Sequence, residues 1–272
     1  MQGLLIYISA FLLSTFFMKL AEKSEENKIY RNFFLIISLG IPIIISALRY
    51  NVGTDYKNYI SLYNKYATIP IKNSFSVKQI EIFFIIVCKI AYIFKNANVM
   101  FFIYSFLTIL FMFLYMWDNK QKNSIALMWI LYLFLYFPSS MNIVRQALSV
   151  AIVTYSYKYI EKRKFIKFLI FVAFAIIVHK TAIVILPLYI LLNFKTVKNK
   201  KIFYGMRIIA LIMSFIIMVN IENIIISMDK IEGLDKYGGY KNYFEDINNY
   251  SFILKIIIFL FITVFIKYMT KR

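Results

Sequence analysis

The stretch "FFLIISLGIPIIISALRYNVGTDYKNY" (residues 33–59) changes from apolar to polar within a few positions. Its first 16 residues carry no charge, and an arginine, a glycine, an aspartate and three tyrosines follow at once. A membrane helix needs roughly 20 consecutive, predominantly apolar residues. The stretch therefore predicts a membrane-spanning helix that ends where a polar segment begins at the membrane surface.

Similar apolar runs recur along the whole chain. Its 272 residues are 61% hydrophobic, with a mean hydropathy of +0.71, whereas soluble domains average roughly 45–50% apolar residues. The alternating segments of about ten residues that build an outer-membrane barrel do not occur in the sequence. We therefore predict an all-α, polytopic integral membrane protein that forms a single domain over residues 1–272.

The formal net charge of +19 is explained by the topology of a membrane protein and does not indicate nucleic-acid binding. Most lysines and arginines lie in short loops between apolar runs, where they fix the cytoplasmic side and attract anionic lipid headgroups. The loops at 19–31, 158–167 and 195–207 and the C-terminal tail are therefore predicted to be cytoplasmic. We expect membrane lipids as partners and no nucleic acid.

Nine crossings are predicted, with spans near 2–18, 32–48, 98–117, 124–137, 142–160, 165–178, 180–194, 206–226 and 252–269. The first run, which no basic region precedes, is expected to be a retained span rather than a signal peptide. This arrangement gives an external N-terminus and a cytoplasmic C-terminus. Both longer polar connections, 49–78 and 227–251, then face outward.

A further apolar segment, 79–95, is expected not to cross, which leaves about 9–10 transmembrane helices in all. It carries Glu81 and Lys89, and charged side chains are costly in lipid. If it crossed as well as 98–117, the two loops richest in lysine and arginine would become external. We predict that it is an outer juxtamembrane or re-entrant helix.

The run 165–194 is interrupted only by "HKT" at 179–181. Each half, about 15 residues, makes about 22 Å of helix, against an apolar layer of about 30 Å. We therefore predict two short helices whose connection at His179 is sunk below the outer surface. Irregular backbone at that depth is tolerated only when it is buried in protein or lines a cavity.

Polar residues predicted at or just below the outer face form the candidate site: Arg49, Asp55, Tyr56, Tyr59, Glu81, Asn142, Arg145, Gln146, His179 and Lys180. Guanidinium groups suit phosphate or pyrophosphate, and a carboxylate can accept a proton from a hydroxyl. Gly53 predicts a tight turn that aims Asp55 back toward the membrane.

Each candidate also has a purely structural interpretation. Arg49 could snorkel at a helix end, and Arg145 could form an ion pair with Asp55 or Glu81. Asp55 could cap a short interfacial helix. His179 could be a hydrogen-bonded structural residue rather than a phosphate donor or a group that titrates near neutrality. The tyrosines could stack on sugar rings, although tyrosine is common at membrane interfaces.

No metal or cofactor is expected. Cys88 is the only cysteine, which excludes an internal disulfide and a cysteine-based metal cluster. One histidine with scattered carboxylates does not make a zinc site. Nucleotide-binding loops, zinc protease motifs and the Gly-x-Ser-x-Gly elbow are absent from the sequence.

Four segments occur in an order that resembles the EpsG family of bacterial exopolysaccharide, capsule and O-antigen polymerases of the Wzy kind. They are "LRYNVGTDYKNYISLYN" (48–64), "VKQIEIFFIIVCKIA" (77–91), "MNIVRQALSVAIVTYSYKYI" (141–160) and "VHKTAIVILPLYIL" (178–191). The resemblance implies polymerisation of undecaprenyl-pyrophosphate-linked oligosaccharide repeat units on the outer face of the bacterial inner membrane, without metal or nucleotide sugar. It also suggests a chain-length regulator and a flippase as partners.

Chemical roles follow as hypotheses. Arg49 and Arg145 hold the donor pyrophosphate, His179 donates to it, and Asp55 or Glu81 deprotonates the acceptor hydroxyl. Lys180, Tyr56 and Tyr59 add substrate contacts, and Gly53 forms the turn. The alternatives are a glycosyltransferase that adds a single sugar from a lipid-monophosphate donor, and a flippase or transporter of the lipid-linked glycan. The latter would favour repeated halves with broken helices.

Overall fold

The computed structural model describes residues 2–70 and 80–193, which lie in one compact unit, Met1–Asn193. The predictions for 195–207, 206–226, 227–251 and 252–269 fall outside the described residues, and the single domain over 1–272 stays a prediction. The described part is helical: α1 Gln2–Lys23, α2 Lys28–Leu48, α3 Tyr56–Tyr66, α4 Ile82–Ile93, α5 Asn98–Asp118, α6 Ile125–Leu135, α7 Phe137–Asn142, α8 Val144–Glu161, α9 Phe165–Val178, a 3₁₀ helix Lys180–Ile185 and α10 Leu186–Asn193.

Three of these helices, α1, α2 and α5, are long and apolar enough to cross a membrane. Further apolar helices are shorter, among them α4, α6 and α9. Long apolar helices and the absence of strands among the described residues confirm the predicted class of all-α, polytopic membrane protein. The exact number of crossings stays a prediction.

Helices α1 and α2 form a hairpin held together by paired serines. The hydroxyl of Ser14 donates to the carbonyl of Ser38 at 2.7 Å, and that of Ser38 donates to the carbonyl of Ser14 at 2.8 Å. The indole of Trp129 on α6 then donates to the Ser14 hydroxyl at 2.8 Å. Small hydroxyl side chains let helix backbones approach closely and hydrogen-bond across the interface. This contact ties three helices together.

Helix α4 is the helical part of segment 79–95, and whether this segment crosses the membrane stays a prediction, since α6, which belongs to a predicted span, is no longer than α4. Its 12 residues make about 18 Å of helix, well short of the roughly 30 Å apolar layer. The thiol of Cys88 lies 4.0 Å from the sulfur of Met100 in the first turn of α5, so α4 lies beside the start of α5. Its charged residues also have partners, since Lys89 donates to the carbonyl of Ile69.

The chain breaks at His179 as the sequence predicts. Helix α9 ends at Val178, and His179 is extended, with φ −157° and ψ 121°. A short 3₁₀ helix follows before α10 begins at Leu186. Val178 and Ala182, which flank the break, are buried, as irregular backbone within a membrane protein requires.

The basic loops meet at one end of this unit. Lys120 pairs with Glu25 at 3.2 Å, and Lys158 pairs with Asp118 at 2.8 Å. Glu22 also accepts hydrogen bonds from the hydroxyl of Ser124 and the backbone N–H of Ile125. The loops near 19–31 and 158–167, both predicted to be cytoplasmic, therefore lie together with the loop near 118–124. The candidate residues collect at the opposite helix ends.

Candidate functional site

Glu81 is the centre of the candidate site. It is the N-cap residue of α4, its backbone is extended, and it is 3% exposed. One carboxylate oxygen, Oε2, accepts from Nη1 of Arg145 at 2.5 Å, and the other, Oε1, lies 3.0 Å from Nδ1 of His179. The ends of three separate helices, α4, α8 and α9, thus converge on one carboxylate.

The surroundings of Glu81 keep its carboxylate ionised. Burial alone would raise the pKa of Glu81, but the hydrogen bond from His179 and the charge of Arg145 outweigh it and lower the pKa to about 2. A carboxylate with so low a pKa is a weak base, because a good general base has a pKa near the working pH. This environment fits a group that orients its two partners better than one that removes protons.

Arg145 lies in the first turn of α8, directly after a kink at Ile143 that separates α7 from α8. Its guanidinium lies 5.4 Å from the ring centre of Phe84 and 6.0 Å from that of Tyr59. Of the two ion-pair partners considered from the sequence, the structure selects Glu81. The Nε atom of Arg145 is buried and has no hydrogen-bond partner within the described part of the chain.

Tyr56 and Tyr59 are buried at 8% and 5% exposure. The ring of Tyr56 stacks on Phe101 with centroids 5.4 Å apart, and Tyr59 packs edge-on against the same ring at 6.3 Å. Burial raises the pKa of Tyr59, and the charge of Arg145 opposes this shift. Both rings are packed into the protein core, and a role of Tyr56 and Tyr59 in substrate binding stays a prediction.

Arg49 caps the C-terminus of α2 and is 4% exposed. Its guanidinium lies 4.3 Å from the ring centre of Phe101. All three of its nitrogens are buried and lack a hydrogen-bond partner among the described residues. Burial lowers the pKa of Arg49 to about 10, against the opposing effect of the hydroxyls of Tyr59, Tyr7 and Tyr56, so the side chain is charged near neutral pH. The structure therefore differs from the snorkelling interpretation, since this cation points into protein.

The predicted turn at Gly53 is present. Asn51 and Gly53 both have positive φ, 52° and 94°, and only glycine adopts the latter region readily. A Cβ on Gly53 would collide with Oδ1 of Asn142. Asp55 takes the N-cap position of α3, but its side chain makes no capping hydrogen bond. The capping interpretation of Asp55 is therefore not realised.

The remaining candidates lie at the edge of the site. Lys180 starts the 3₁₀ helix with an exposed side chain, and Gln146 is exposed on α8. Within residues 2–70 and 80–193, no group of three or more His, Cys, Asp or Glu side chains is arranged to hold a metal ion. The roles assigned to the site residues stay predictions.

The sequence does not predict which aromatic residues contact the guanidinium groups of Arg49 and Arg145. Phe101 lies under Arg49, and Phe84 lies beside Arg145. Both occur in apolar helices where phenylalanine is common, so no signal in the sequence singles them out. Desolvated cation–π contacts are worth about 2 kcal/mol or more, and these two help to keep the guanidinium groups inside the protein.

Comparisons with curated proteins and with solved structures gave no match. A model of one protein family, described as the EpsG family, matches residues 32–272. This range includes every candidate residue described above, from Arg49 to Lys180, and nearly the whole chain. The protein, a membrane protein that is helical in the part that the structure describes, therefore belongs to the EpsG family.

Proposed function

We propose that the protein is a membrane glycosyltransferase that polymerises undecaprenyl-pyrophosphate-linked oligosaccharide repeat units on the outer face of the bacterial cytoplasmic membrane. Membership of the EpsG family supports a role in exopolysaccharide synthesis. The single observation that carries the chemistry is the Glu81 carboxylate between Arg145 and His179. The product is a capsule, exopolysaccharide or O-antigen chain, and the reaction uses no metal and no nucleotide sugar.

His179 is the proposed general base. An ionised Glu81 accepts the Nδ1–H of a neutral imidazole, which leaves the lone pair on Nε2 free to take a proton. The carboxylate also stabilises the imidazolium that forms, as in carboxylate–histidine pairs of acyl-transfer enzymes. Proton transfer of this kind contributes typically about 10²–10⁴-fold in rate. Glu81 acts in this scheme as a positioning residue.

The transfer itself is a direct displacement. The acceptor hydroxyl oxygen at the non-reducing end of a new unit attacks the anomeric carbon of the growing chain, and its proton passes to Nε2 of His179. The bond between that carbon and the pyrophosphate oxygen breaks, and undecaprenyl pyrophosphate leaves with the electron pair. A single displacement inverts the anomeric centre.

Arg49 is the proposed contact for the leaving pyrophosphate. Charge builds on the leaving group in the transition state, so a fixed cation there lowers the energy barrier. Each such contact raises the rate by about 10²–10³-fold. Arg145 is already neutralised by Glu81, whereas the three nitrogens of Arg49 have no hydrogen-bond partner in the described part of the chain. Arg145, which is paired with Glu81, then holds that carboxylate in place beside His179.

Asp55 is the alternative base. The structure gives its carboxylate no ion pair and no capping hydrogen bond within the described residues, so its oxygens are not committed to another group. Its position directly after the Gly53 turn supports a place at the edge of the same site. Replacing His179 and Asp55 separately distinguishes the two assignments.

The test uses a host strain that lacks the gene and carries wild-type or variant protein. We expect His179→Ala and Arg49→Gln to leave a single repeat unit on the acceptor lipid, while wild type restores the full ladder of chain lengths. Val150→Ala, on the exposed side of α8, is the matched control. A full ladder with normal chain length in His179→Ala would contradict the assignment of that residue.

The same assay separates the alternative functions. Loss of a transferase that adds one sugar from a lipid monophosphate would keep the ladder and shift its composition. Loss of a flippase would leave the lipid-linked unit on the cytoplasmic face. Loss of a polymerase leaves single units on the outer face, and this is the outcome that the proposal requires.

A further inference from the structure

An apolar cleft of about 350 Å³ opens beside the Gly53 turn. It lies between the first turns of α1, the end of α6 and the short helix α7. Apolar side chains form most of its wall, and Gly53 and Asn142 form one edge; the wall residues include Leu4, Ile8, Phe134 and Pro138. Its size is at the lower end of the roughly 300–1,000 Å³ that ligand clefts occupy.

Polar atoms without partners border this apolar wall. Oδ1 of Asn142 is buried and has no hydrogen-bond partner among the described residues. Tyr7 also lines the cleft, and the turn that places Gly53 at the edge of the cleft follows directly after Arg49 in the chain. The segment that forms one edge of this apolar cleft therefore begins at a buried cation, Arg49, whose nitrogens have no hydrogen-bond partner among the described residues. An uncompensated buried charge is costly, and an anionic partner removes that cost.

We propose that this cleft holds the prenyl segment next to the phosphate of the lipid-linked donor, with the phosphate at Arg49. The inference rests on the proposed function and adds the place of the lipid carrier to it. Ligand and protein are complementary, because an aliphatic chain that ends in an anion matches an apolar cleft whose edge leads to a buried cation. A free oligosaccharide matches neither feature of the wall.

The cleft fixes the position of the prenyl chain and adds little to the affinity for it. Lipid tails are as apolar as the cleft wall, so a prenyl chain that moves from the bilayer into the cleft gains little from the hydrophobic effect. Holding the chain there fixes where the pyrophosphate and the anomeric carbon lie, and orientation of reacting groups is a large part of catalysis. Because the nitrogens of Arg49 are shielded from solvent, entry of the phosphate requires neighbouring side chains to move. The turn at 50–55 is the adjacent non-helical segment.

Photolabelling of the full-length protein in nanodiscs tests the proposal. The probe is farnesyl diphosphate that carries a diazirine on its first isoprene unit, and labelled peptides are identified by mass spectrometry. We expect labels on peptides that contain Leu4 or Met141, and excess undecaprenyl phosphate should suppress them about tenfold. Excess phosphatidylglycerol should not suppress them.

Two adjacent residues supply a matched pair of variants. Leu4 lines the cleft and Leu5 does not, and their exposures are 66% and 62%. We expect Leu4→Trp to fill the cleft and to lower labelling by about tenfold, and Leu5→Trp to label as wild type. Arg49→Gln should lower labelling by a similar factor, since a charge-assisted contact is worth about that much.

Three results would overturn the proposal: labelling elsewhere in the chain but not on the cleft peptides, equal suppression by phosphatidylglycerol, or unchanged labelling in both Leu4→Trp and Arg49→Gln. Labelling needs no polymerisation, so His179→Ala should label as wild type. Normal labelling with no polymerase activity in wild-type protein would refute the proposed function and leave the prenyl-phosphate site in place. Polymerisation without labelling of the cleft would refute the site alone.

Discussion

Glu81 and His179 are 98 positions apart in the sequence, yet Oε1 of the carboxylate lies 3.0 Å from Nδ1 of the imidazole. The carboxylate begins helix α4, and the histidine occupies the break after α9. An ionised Glu81 determines which imidazole nitrogen carries the hydrogen. The break in the chain at His179 thus places the imidazole ring beside this carboxylate.

Replacing His179 with alanine should lower the polymerisation rate by about 10²–10⁴-fold, the usual contribution of a general base. If the ring acts as a base, added imidazole should restore part of the rate in His179→Ala, and the restored rate should rise with imidazole concentration. The measurement is repeat-unit incorporation by the purified variant in nanodiscs. No rescue by imidazole, together with a loss of folded protein, would assign His179 a structural role instead.

Glu81→Gln should lower the rate with little change in substrate KM, because it acts through His179. It removes the charge that stabilises the imidazolium, and it replaces one of the two accepting oxygens by an NH2 group that can only donate. In a double-mutant cycle with Arg145→Gln, the two losses should be strongly non-additive, since contacting residues couple by about 0.5–3 kcal/mol. Additive losses in kcat would show that the Arg145–Glu81 pair does not act as a unit.

Acid should selectively destabilise the wild-type protein. The pKa of Glu81 is about 2 in the folded protein, below its ordinary value of 4.5. The ion pair therefore contributes stability that is fully present above about pH 4.5 and is lost as the pH falls toward 2. We expect the melting temperature in detergent to fall between pH 5 and pH 3 by more in wild type than in Glu81→Gln. If the melting temperatures of wild type and Glu81→Gln fell equally between pH 5 and pH 3, the carboxylate would not contribute stability in this way.

Gly53→Ala should impair activity, because φ at this position is 94° and the new Cβ would collide with Asn142. Gly53→Ala combined with Asn142→Ala should recover only part of the loss, since the collision is relieved and the backbone strain remains. Gly40→Ala is the matched control, because nothing lies within 4 Å of a Cβ there. Equal activity of Gly53→Ala and Gly40→Ala would mean that the turn need not keep its shape.

The sequence predicts most of the fold because the apolar runs and the basic loops are local signals. Asn98–Asp118 and the break at His179 are found nearly where the pattern indicates. The short length of α4 also has a local signal, since Glu81 directly precedes its apolar residues and Lys95 follows them closely. It is the charge of Glu81, placed where lipid would penalise it, that marks the segment as different.

The site is predictable only in part. The sequence singles out Arg49, Glu81, Arg145 and His179 as unusual charges in a membrane protein, but not which of them pair. Pairing depends on how α4, α8 and α9 pack, and no local pattern encodes that contact. The sequence also gives no sign that Arg49 lies on Phe101 while Arg145 lies against Glu81, although this difference separates their proposed roles.

The most direct test is polymerisation by the purified full-length protein in nanodiscs that contain a defined undecaprenyl-pyrophosphate-linked repeat unit and a chelator. The account predicts a ladder of chains, one undecaprenyl pyrophosphate released for each new linkage, an inverted anomeric centre and no ladder with His179→Ala. Wild-type protein that yields no product longer than one unit, or that transfers one sugar from a lipid monophosphate, would contradict it.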